Sequence, residues 1–404
     1  MQLSPDLFTE YLKRNPGIIG VAVSGGSDSL SLLVALHEAG AEVQAATVDH
    51  GLRPEAAQEA RHVAAICADL GVPHETLTAQ VPGTGNLQAA ARDVRYGLLT
   101  DWARCQQIAT LAMGHTQDDQ AETMLLRLGR GSGVDGLSAM AMESQRGDLR
   151  LWRPLLGQRR TDLQVFLSER QIKWVDDPSN DDHTFDRVRA RKALETLAEL
   201  GITTEKLADT ATRMRRARGA LEAATLALAK SAAQPNDIGA VQLDLPALQS
   251  APAELRLRLL SHALCWVSSS VYRPRALSLD SLWHAVTGGK NHTLHGCIVS
   301  PKRGETIEVT RETVAMPVGE AGGVYDGRWV CDSSDGEVGP LTAAGLALCP
   351  GWRAMPYSRA ALEASPAIWR DRELLCAPFA GMVGPWQCGL KDGPGSFFSS
   401  IVTH

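Results

Sequence analysis

Residues 24–29 read Ser-Gly-Gly-Ser-Asp-Ser, set between an apolar run, Ile18-Ile19-Gly20-Val21-Ala22-Val23, and a helix-like run from Leu30 to Leu36. A buried strand, a tight glycine turn and a helix start make an anion site. Paired glycines let the backbone approach a phosphate closely. The helix N-terminus adds unsatisfied N–H groups and a favourable dipole. The charged residue in the turn is Asp28, whereas a Walker A loop ends in Gly-Lys-Ser/Thr. An acid beside phosphates makes sense when Mg2+ sits between them. Ser24, Gly25, Gly26, Ser27, Asp28 and Ser29 are therefore expected to hold phosphates, with Asp28 helping to place Mg2+.

A second constellation is Gly114-His115-Thr116-Gln117-Asp118-Asp119-Gln120-Ala121-Glu122-Thr123. Asp119 and Glu122 are three apart and share a helix face. Two carboxylates there suit an ammonium group or Mg2+. Thr116 to Asp119 also has capping-box spacing, so the plainer alternative is that Asp119 only starts the helix. His50 and His115 both fall at strand ends beside the phosphate turn, which suits phosphate or adenine contact; a structural role is the alternative for each. Arg92 and Arg95, three apart, suit bidentate phosphate or carboxylate contacts, or else an exposed pairing with Asp93. Residues 129–138 hold four glycines in Gly-Arg-Gly-Ser-Gly-Val-Asp-Gly-Leu-Ser, a pattern of mobility or close backbone approach. Asp176-Asp177-Pro178-Ser179-Asn180 is a turn signal, and a basic helix starts over Phe185–Arg191.

The elements that must position these groups alternate. Strands are expected at 18–23, 43–48, 74–78 and 108–113, with helices at 55–70 and 88–104. Such alternation predicts an α/β domain with a parallel sheet and right-handed crossovers. Ligands bind outside the carboxyl ends of strands in these sheets. Ser24–Ser29, Asp49–Arg53 and Gly114–Asp119 should therefore meet around one pocket. One long helix is expected over 204–234, including four arginines, Arg213, Arg215, Arg216 and Arg218. Residues 241–290 read as mostly helical after a short strand. Residues 293–330 read as short strands with turns at Lys302-Arg303-Gly304 and Tyr325-Asp326-Gly327-Arg328. The tail, 331–404, is rich in Gly, Pro and Trp and gives no clear elements.

The chain of 404 residues is long enough for two or three domains, at roughly 100–200 residues each. The divisions expected are 1–200, 201–290 and 291–404. No apolar run reaches the ~18 residues needed to span a bilayer, and the N-terminus has no basic or apolar leader region. A cytoplasmic protein with no membrane partner is expected. None of the eight cysteines forms a Cys-x-x-Cys pair, so reduced structural thiols are expected rather than zinc. The net charge of −6 means a nucleic-acid partner needs a local basic face. The expected face comprises Arg127, Arg130, Arg187, Arg189, Arg191 and the arginines of 213–218.

The Ser24–Ser29 turn resembles the PP-loop of the ATP pyrophosphatase superfamily, whose members split ATP into AMP and pyrophosphate. Six further segments narrow the resemblance to the tRNA(Ile)-lysidine synthetase family. They are His50-Gly51-Leu52-Arg53, Ala91–Tyr96, His115–Thr123, Arg130–Leu137, Arg153-Pro154-Leu155-Leu156 and Asp177-Pro178-Ser179-Asn180. They run in order over 18–192, and past residue 200 the likeness is mostly architectural. The resemblance implies a doubly wound, mostly parallel, Rossmann-like N-terminal sheet, then a helical linker domain and a small mixed α+β C-terminal region. It implies ATP and Mg2+ as cofactors, and free lysine and a tRNA(Ile) with a CAU anticodon as partners; a homodimer is left open. The implied reaction adenylates O2 of the wobble cytidine and then admits lysine at C2, with AMP and pyrophosphate released. By the same resemblance, Asp119 and Glu122 would bind the lysine ammonium. Arg95 and Arg187 would steady the lysine carboxylate or the adenylated intermediate. Arg130, Gly131 and Gly133 would belong to a loop lying over the site and the tRNA, and the region beyond about 290 would read the acceptor stem. The family usually shows Arg-Asn and then Ile-Arg near Arg187; here Val188 stands in place of the Asn. The alternatives are a tRNA 2-thiolation enzyme on the same scaffold and a non-catalytic nucleotide-binding RNA module. Thiolation enzymes typically use paired cysteines or an iron–sulfur cluster, and the intact acids argue against lost catalysis.

Overall fold

The computed structural model describes residues 6–49, 51, 56–79, 87–175, 186–320, 322–332 and 336–402. The chain divides into two compact units, Met1–Arg218 and Gly219–His404. In the first, six strands form one sheet: β1 (Ile19–Ala22), β2 (Val43–Asp49), β3 (His74–Thr78), β4 (Thr110–Met113), β5 (Glu143–Arg146) and β6 (Leu149–Trp152), in the order β3-β2-β1-β4-β6-β5. All neighbours pair parallel except β5, which runs antiparallel to β6. The helices are α1 (Asp6–Arg14), α2 (Ser27–Glu38), α3 (Ala56–Leu70), α4 (Leu87–Cys105), α5 (Gln117–Gly129), α6 (Val134–Leu137), α7 (Arg160–Glu169), α8 (Asp186–Glu199) and α9 (Thr204–Ala232).

The expected alternation of strand and helix is present, and so is the single long helix α9. The β5–β6 hairpin was not expected. Glu143-Ser144-Gln145-Arg146 is a polar edge strand and offers no apolar alternation to read. Its pairing follows from a turn at Gly147, whose φ is +58.

Side-chain alternation splits the sheet into two faces. Ile19, Val21, Val43, Ala45 and Ala112 pack on one side with Leu30, Leu33 and Leu36 of α2 and with Leu163, Phe166 and Leu167 of α7. Ala22, Ala46, Leu111 and Met113 pack on the other with Tyr96, Leu99 and Trp102 of α4. Both faces of the central strands are covered, so β1 and β4 are buried throughout. Only their carboxyl ends open to a cleft.

The second unit opens on a five-stranded antiparallel sheet, β7 (Ala233–Pro235), β8 (Val241–Asp244), β9 (His292–Leu294), β10 (Cys297–Lys302) and β11 (Thr306–Arg311), in the order β7-β8-β11-β10-β9. The helices α10 (Leu245–Ser250), α11 (Ala253–Ser268) and α12 (Ala276–Thr287) bury Leu248, Leu260, Leu264 and Leu282 against it. The two turns expected here join β10 to β11 and β13 (Val324–Tyr325) to β14 (Trp329–Cys331). The tail adds the strands β15 (Glu337–Pro340), β16 (Pro366–Arg370), β17 (Glu373–Cys376) and β18 (Cys388–Leu390). With β12 (Gly319–Glu320), these make a four-stranded sheet, β12-β15-β16-β17, and a three-stranded one, β13-β14-β18. Among the described residues no helix is long and apolar enough to cross a membrane.

Candidate active site

The turn after β1 is built as the sequence predicts. Gly25 has φ +87, the left-handed region that favours glycine. Its carbonyl accepts from Val175 N at 2.9 Å. Gly26 then caps α2 without any side-chain bond, so first-turn N–H groups face the cleft with the positive end of the dipole. Three serines line it. Ser29 Oγ donates to Gly26 O (3.1 Å) and accepts from Ser24 N (3.1 Å), and it lies 3.2 Å from Ser24 Oγ. Ser27 Oγ donates to Asp28 Oδ1 at 3.1 Å.

Asp119 forms the cap that its spacing suggested and keeps one oxygen for other partners. Its Oδ2 accepts from Thr116 N (2.9 Å) and from Thr116 Oγ1 (3.0 Å), closing a capping box at the start of α5. Its Oδ1 points to cations instead, with Arg160 Nη2 and Arg187 Nη1 each at 3.6 Å. Glu122, one turn on, is 1% exposed. Its Oε1 accepts from Arg191 Nε at 3.1 Å, and its buried Oε2 has no hydrogen-bond partner among the described residues.

Arg160 joins the three acids. Its Nε donates to Asp28 Oδ2 at 2.9 Å, and Nη1 lies 3.9 Å from Glu122 Oε1. The sequence reading did not single it out. A signal existed: Arg159 and Arg160 open α7, where the helix dipole disfavours cations. Something else must hold them there. Arg160 N donates to Asp118 Oδ2 (2.8 Å), Arg159 Nε lies 3.4 Å from Asp118 Oδ1, and Gln117 N donates to Gln158 O (2.9 Å). The start of α7 is thus stitched to the start of α5.

Electrostatics follow from this packing. Burial pushes Asp28 above the usual carboxylate range, with Arg160 opposing and Asp119 adding. Burial likewise raises Glu122, helped by Asp119 and opposed by Arg191. Burial also works upward on Asp119, but Arg160, His115, Arg187 and the Thr116 backbone bond outweigh it, and Asp119 ends below its ordinary value. Desolvation lowers Arg95, and the nearby Arg92 and Arg187 add to that.

His115 is pushed from 6.5 down to about 4, first by burial, with Asp119 opposing and Arg153, Arg187 and Arg95 adding. The unfolded chain therefore takes up a proton near pH 6.5 that the folded protein refuses until about 4. The stability this group contributes is full above that window and is lost as pH falls through it. Replacing His115 by glutamine should flatten the decline of the urea midpoint across the window. Equal slopes for the two proteins would remove His115 as the group responsible.

A cleft of about 960 Å³ at the carboxyl ends of β1 and β4 is lined by Ser24, Gly26, Ser27, Asp28, Ser29, Arg95, His115, Asp119 and Arg187. Sequence reasoning had named all nine. Arg160, Gln164 and Arg191 line it too, and they also line a neighbouring cleft of about 480 Å³ where Glu122 sits. His50 and the segments 52–53 and 177–180 lie outside the described residues. Arg130, Gly131 and Gly133 line neither cleft. Arg130 donates to Asp186 at 2.9 Å on the surface, and the glycine-rich loop is pinned from beneath by Arg127 Nη1, which donates to Gly136 O at 2.8 Å.

Part of the expected basic face turns inward. Arg127 turns inward to that carbonyl, Arg191 is committed to Glu122, Arg189 pairs with Asp186, and Arg215 donates to Ser138 O and Met140 O. Arg130, Arg187, Arg189, Arg213 and Arg216 remain exposed. An arginine count along a helix does not distinguish guanidinium groups that satisfy buried carbonyls from those that face water.

Residues 5–197 match the family profile described as a PP-loop domain. The chain is 42% identical to a tRNA(Ile)-lysidine synthase of Ruegeria pomeroyi, over 98% of this chain and 97% of that one. It is 35% identical to the enzyme of the same name from Wolbachia pipientis, over 78% of this chain and 76% of that one.

Proposed function

Because the chain belongs to the tRNA(Ile)-lysidine synthase family, a PP-loop group that uses ATP to modify tRNA(Ile), we propose that its cleft performs a two-step ligation of free lysine to the wobble cytidine. In the first step, cytosine O2 bonds to the α-phosphorus of ATP and the bond to pyrophosphate breaks. In the second, the lysine ε-nitrogen, having lost a proton, bonds to C2. The C2–O2 bond breaks and AMP leaves with that oxygen. Adenylation is needed because a carbonyl oxygen leaves poorly, whereas AMP leaves well.

The observation that carries this reading is the meeting of an uncapped helix N-terminus, Asp28 and the Asp119–Glu122 pair around a single guanidinium. First-turn N–H groups of α2, with Ser24, Ser27 and Ser29, receive the phosphates. Arg95 and Arg187 supply positive charge where the lysine carboxylate or the phosphate of the adenylated intermediate carries negative charge. Asp119 Oδ1 and Glu122 receive the lysine ammonium. Burial raises the basicity of Glu122, which suits it to take the proton that the amine must lose. Among the described residues no three of His, Cys, Asp and Glu form a metal-holding group. A single Asp28 facing the phosphate turn fits Mg2+, which is commonly held by one or two carboxylates plus substrate phosphates. When bound there, Mg2+ would neutralise phosphate charge.

The test is pyrophosphate release from ATP with an unmodified tRNA(Ile) CAU transcript, with and without labelled lysine. Release together with lysine incorporation is expected. Release without incorporation would point to another nucleophile. No release, with nucleotide still bound, would reduce the chain to a binding module. No cysteine lines either cleft, so nothing in the site favours sulfur transfer.

A further inference from the structure

The cation that faces Asp28 is Arg160, with Nε at 2.9 Å from Oδ2. Asp119 and Glu122 each have a second cation, Arg187 at 3.6 Å and Arg191 at 3.1 Å. Asp28 and Arg160 are both largely withdrawn from water, their side chains 17% and 24% exposed. A guanidinium in such surroundings binds a carboxylate far more strongly than it does at the surface. Removing it would leave three acids close together, which is costly while all are ionised. Arg160 therefore keeps the acids charged, but on the Asp28 side it does so by taking Oδ2 while Ser27 Oγ donates to Oδ1, so a metal ion must compete for this carboxylate.

We propose that Arg160 is a positioning residue that competes with the metal ion for Asp28 and sets how tightly nucleotide and metal bind together. This rests on the reading of Asp28 as the metal ligand. The guanidinium can release Asp28 without leaving the site. Its Nη groups keep Asp119 and Glu122, and its backbone stays tied to Asp118. The exchange is a short rotation about an anchored helix start, and the charge displaced from Asp28 stays beside the phosphates.

The test measures Mn2+ binding by electron paramagnetic resonance, on the full chain with α,β-methylene ATP and without tRNA or lysine. Arg160→Gln should bind Mn2+ about tenfold more tightly than wild type, because no guanidinium has to be displaced. Arg160→Lys keeps the charge but cannot span three acids, and it should fall between the two. Melting curves for both variants would establish that they fold, and the lysine variant carries the test if the glutamine variant does not. Mn2+ affinity that is unchanged or weaker in the folded variants would overturn the proposal. Asp28→Asn examines the underlying reading separately. It should lose nucleotide-dependent Mn2+ binding whatever Arg160 does; if it binds Mn2+ as wild type does, Asp28 is not the metal ligand.

Discussion

Asp119→Asn is expected to lower lysidine formation by about 10²–10³-fold, the range seen when one group stabilising a reacting charge is removed, while the protein stays folded. Asparagine keeps a carbonyl oxygen where Oδ2 accepts from Thr116 N and Oγ1, so the start of α5 survives. What it loses is the charge on Oδ1, which Arg160 and Arg187 face at 3.6 Å. Two consequences follow. The amine loses one of its two acids, so KM for lysine should rise. Glu122 loses a like-charged neighbour that now raises its pKa, so it should ionise at lower pH and become a weaker base for the proton the amine must lose. Asp119→Ala adds loss of the cap, for which about 1 kcal/mol of stability is typical. Comparing the two separates capping from chemistry. Urea melts should distinguish the alanine variant from wild type but not the asparagine variant, whereas both should fail in lysine incorporation. An asparagine variant with wild-type rate and wild-type KM for lysine would make Asp119 a cap and nothing more.

That the cap at Asp119 and its place on the cleft were legible along the chain shows what kind of site can be read from sequence. Thr116, Asp119 and Glu122 lie within one helical turn or two, and their relations are fixed by helix geometry alone. The phosphate turn is local in the same way, from Ser24 to Ser29. The cleft itself follows from strand order, because residues at the carboxyl ends of adjacent parallel strands must converge. Arg160 belongs to another class. It bonds Asp28 across 132 positions, and no periodicity or spacing joins the two. Only its electrostatically awkward place at a helix start hinted at a partner elsewhere. The arginines of the basic face that turn inward were not legible for a related reason. Whether Arg127 or Arg215 meets water depends on which carbonyls lie nearby, and Gly136, Ser138 and Met140 are brought there by tertiary folding. In the tail, the strands Glu337–Pro340, Glu373–Cys376 and Cys388–Leu390 span only three or four residues. So short a run shows too little of a two-residue period to be told from a loop.

Gly114→Ala should be damaging despite adding one methyl group, because of what that methyl meets. A Cβ on Gly114 would lie 2.8 Å from Ser29 Cα and 2.9 Å from both the carbonyl carbon and the oxygen of Asp28. All three are backbone atoms of the first turn of α2, so no side chain can swing aside. Either the end of β4 or the start of α2 must retreat. Both are locked, β4 by its pairing on each side and α2 by Leu30, Leu33 and Leu36 in the core. Overpacking of this kind typically costs about 1–3 kcal/mol. The functional loss should be larger than the stability loss suggests. The shifted turn carries the N–H groups and Asp28, and a misplacement of about 1 Å is worth about 10²-fold in rate. Gly219→Ala is the control. It lies within the long helix α9, lines neither cleft, and among the described residues its Cβ would meet nothing within 4 Å. For Gly219→Ala the urea midpoint should not fall and tRNA-dependent pyrophosphate release should stay near wild type, whereas both should drop for Gly114→Ala. If Gly114→Ala released pyrophosphate at the wild-type rate, the seating of α2 against β4 could not be what positions the phosphates.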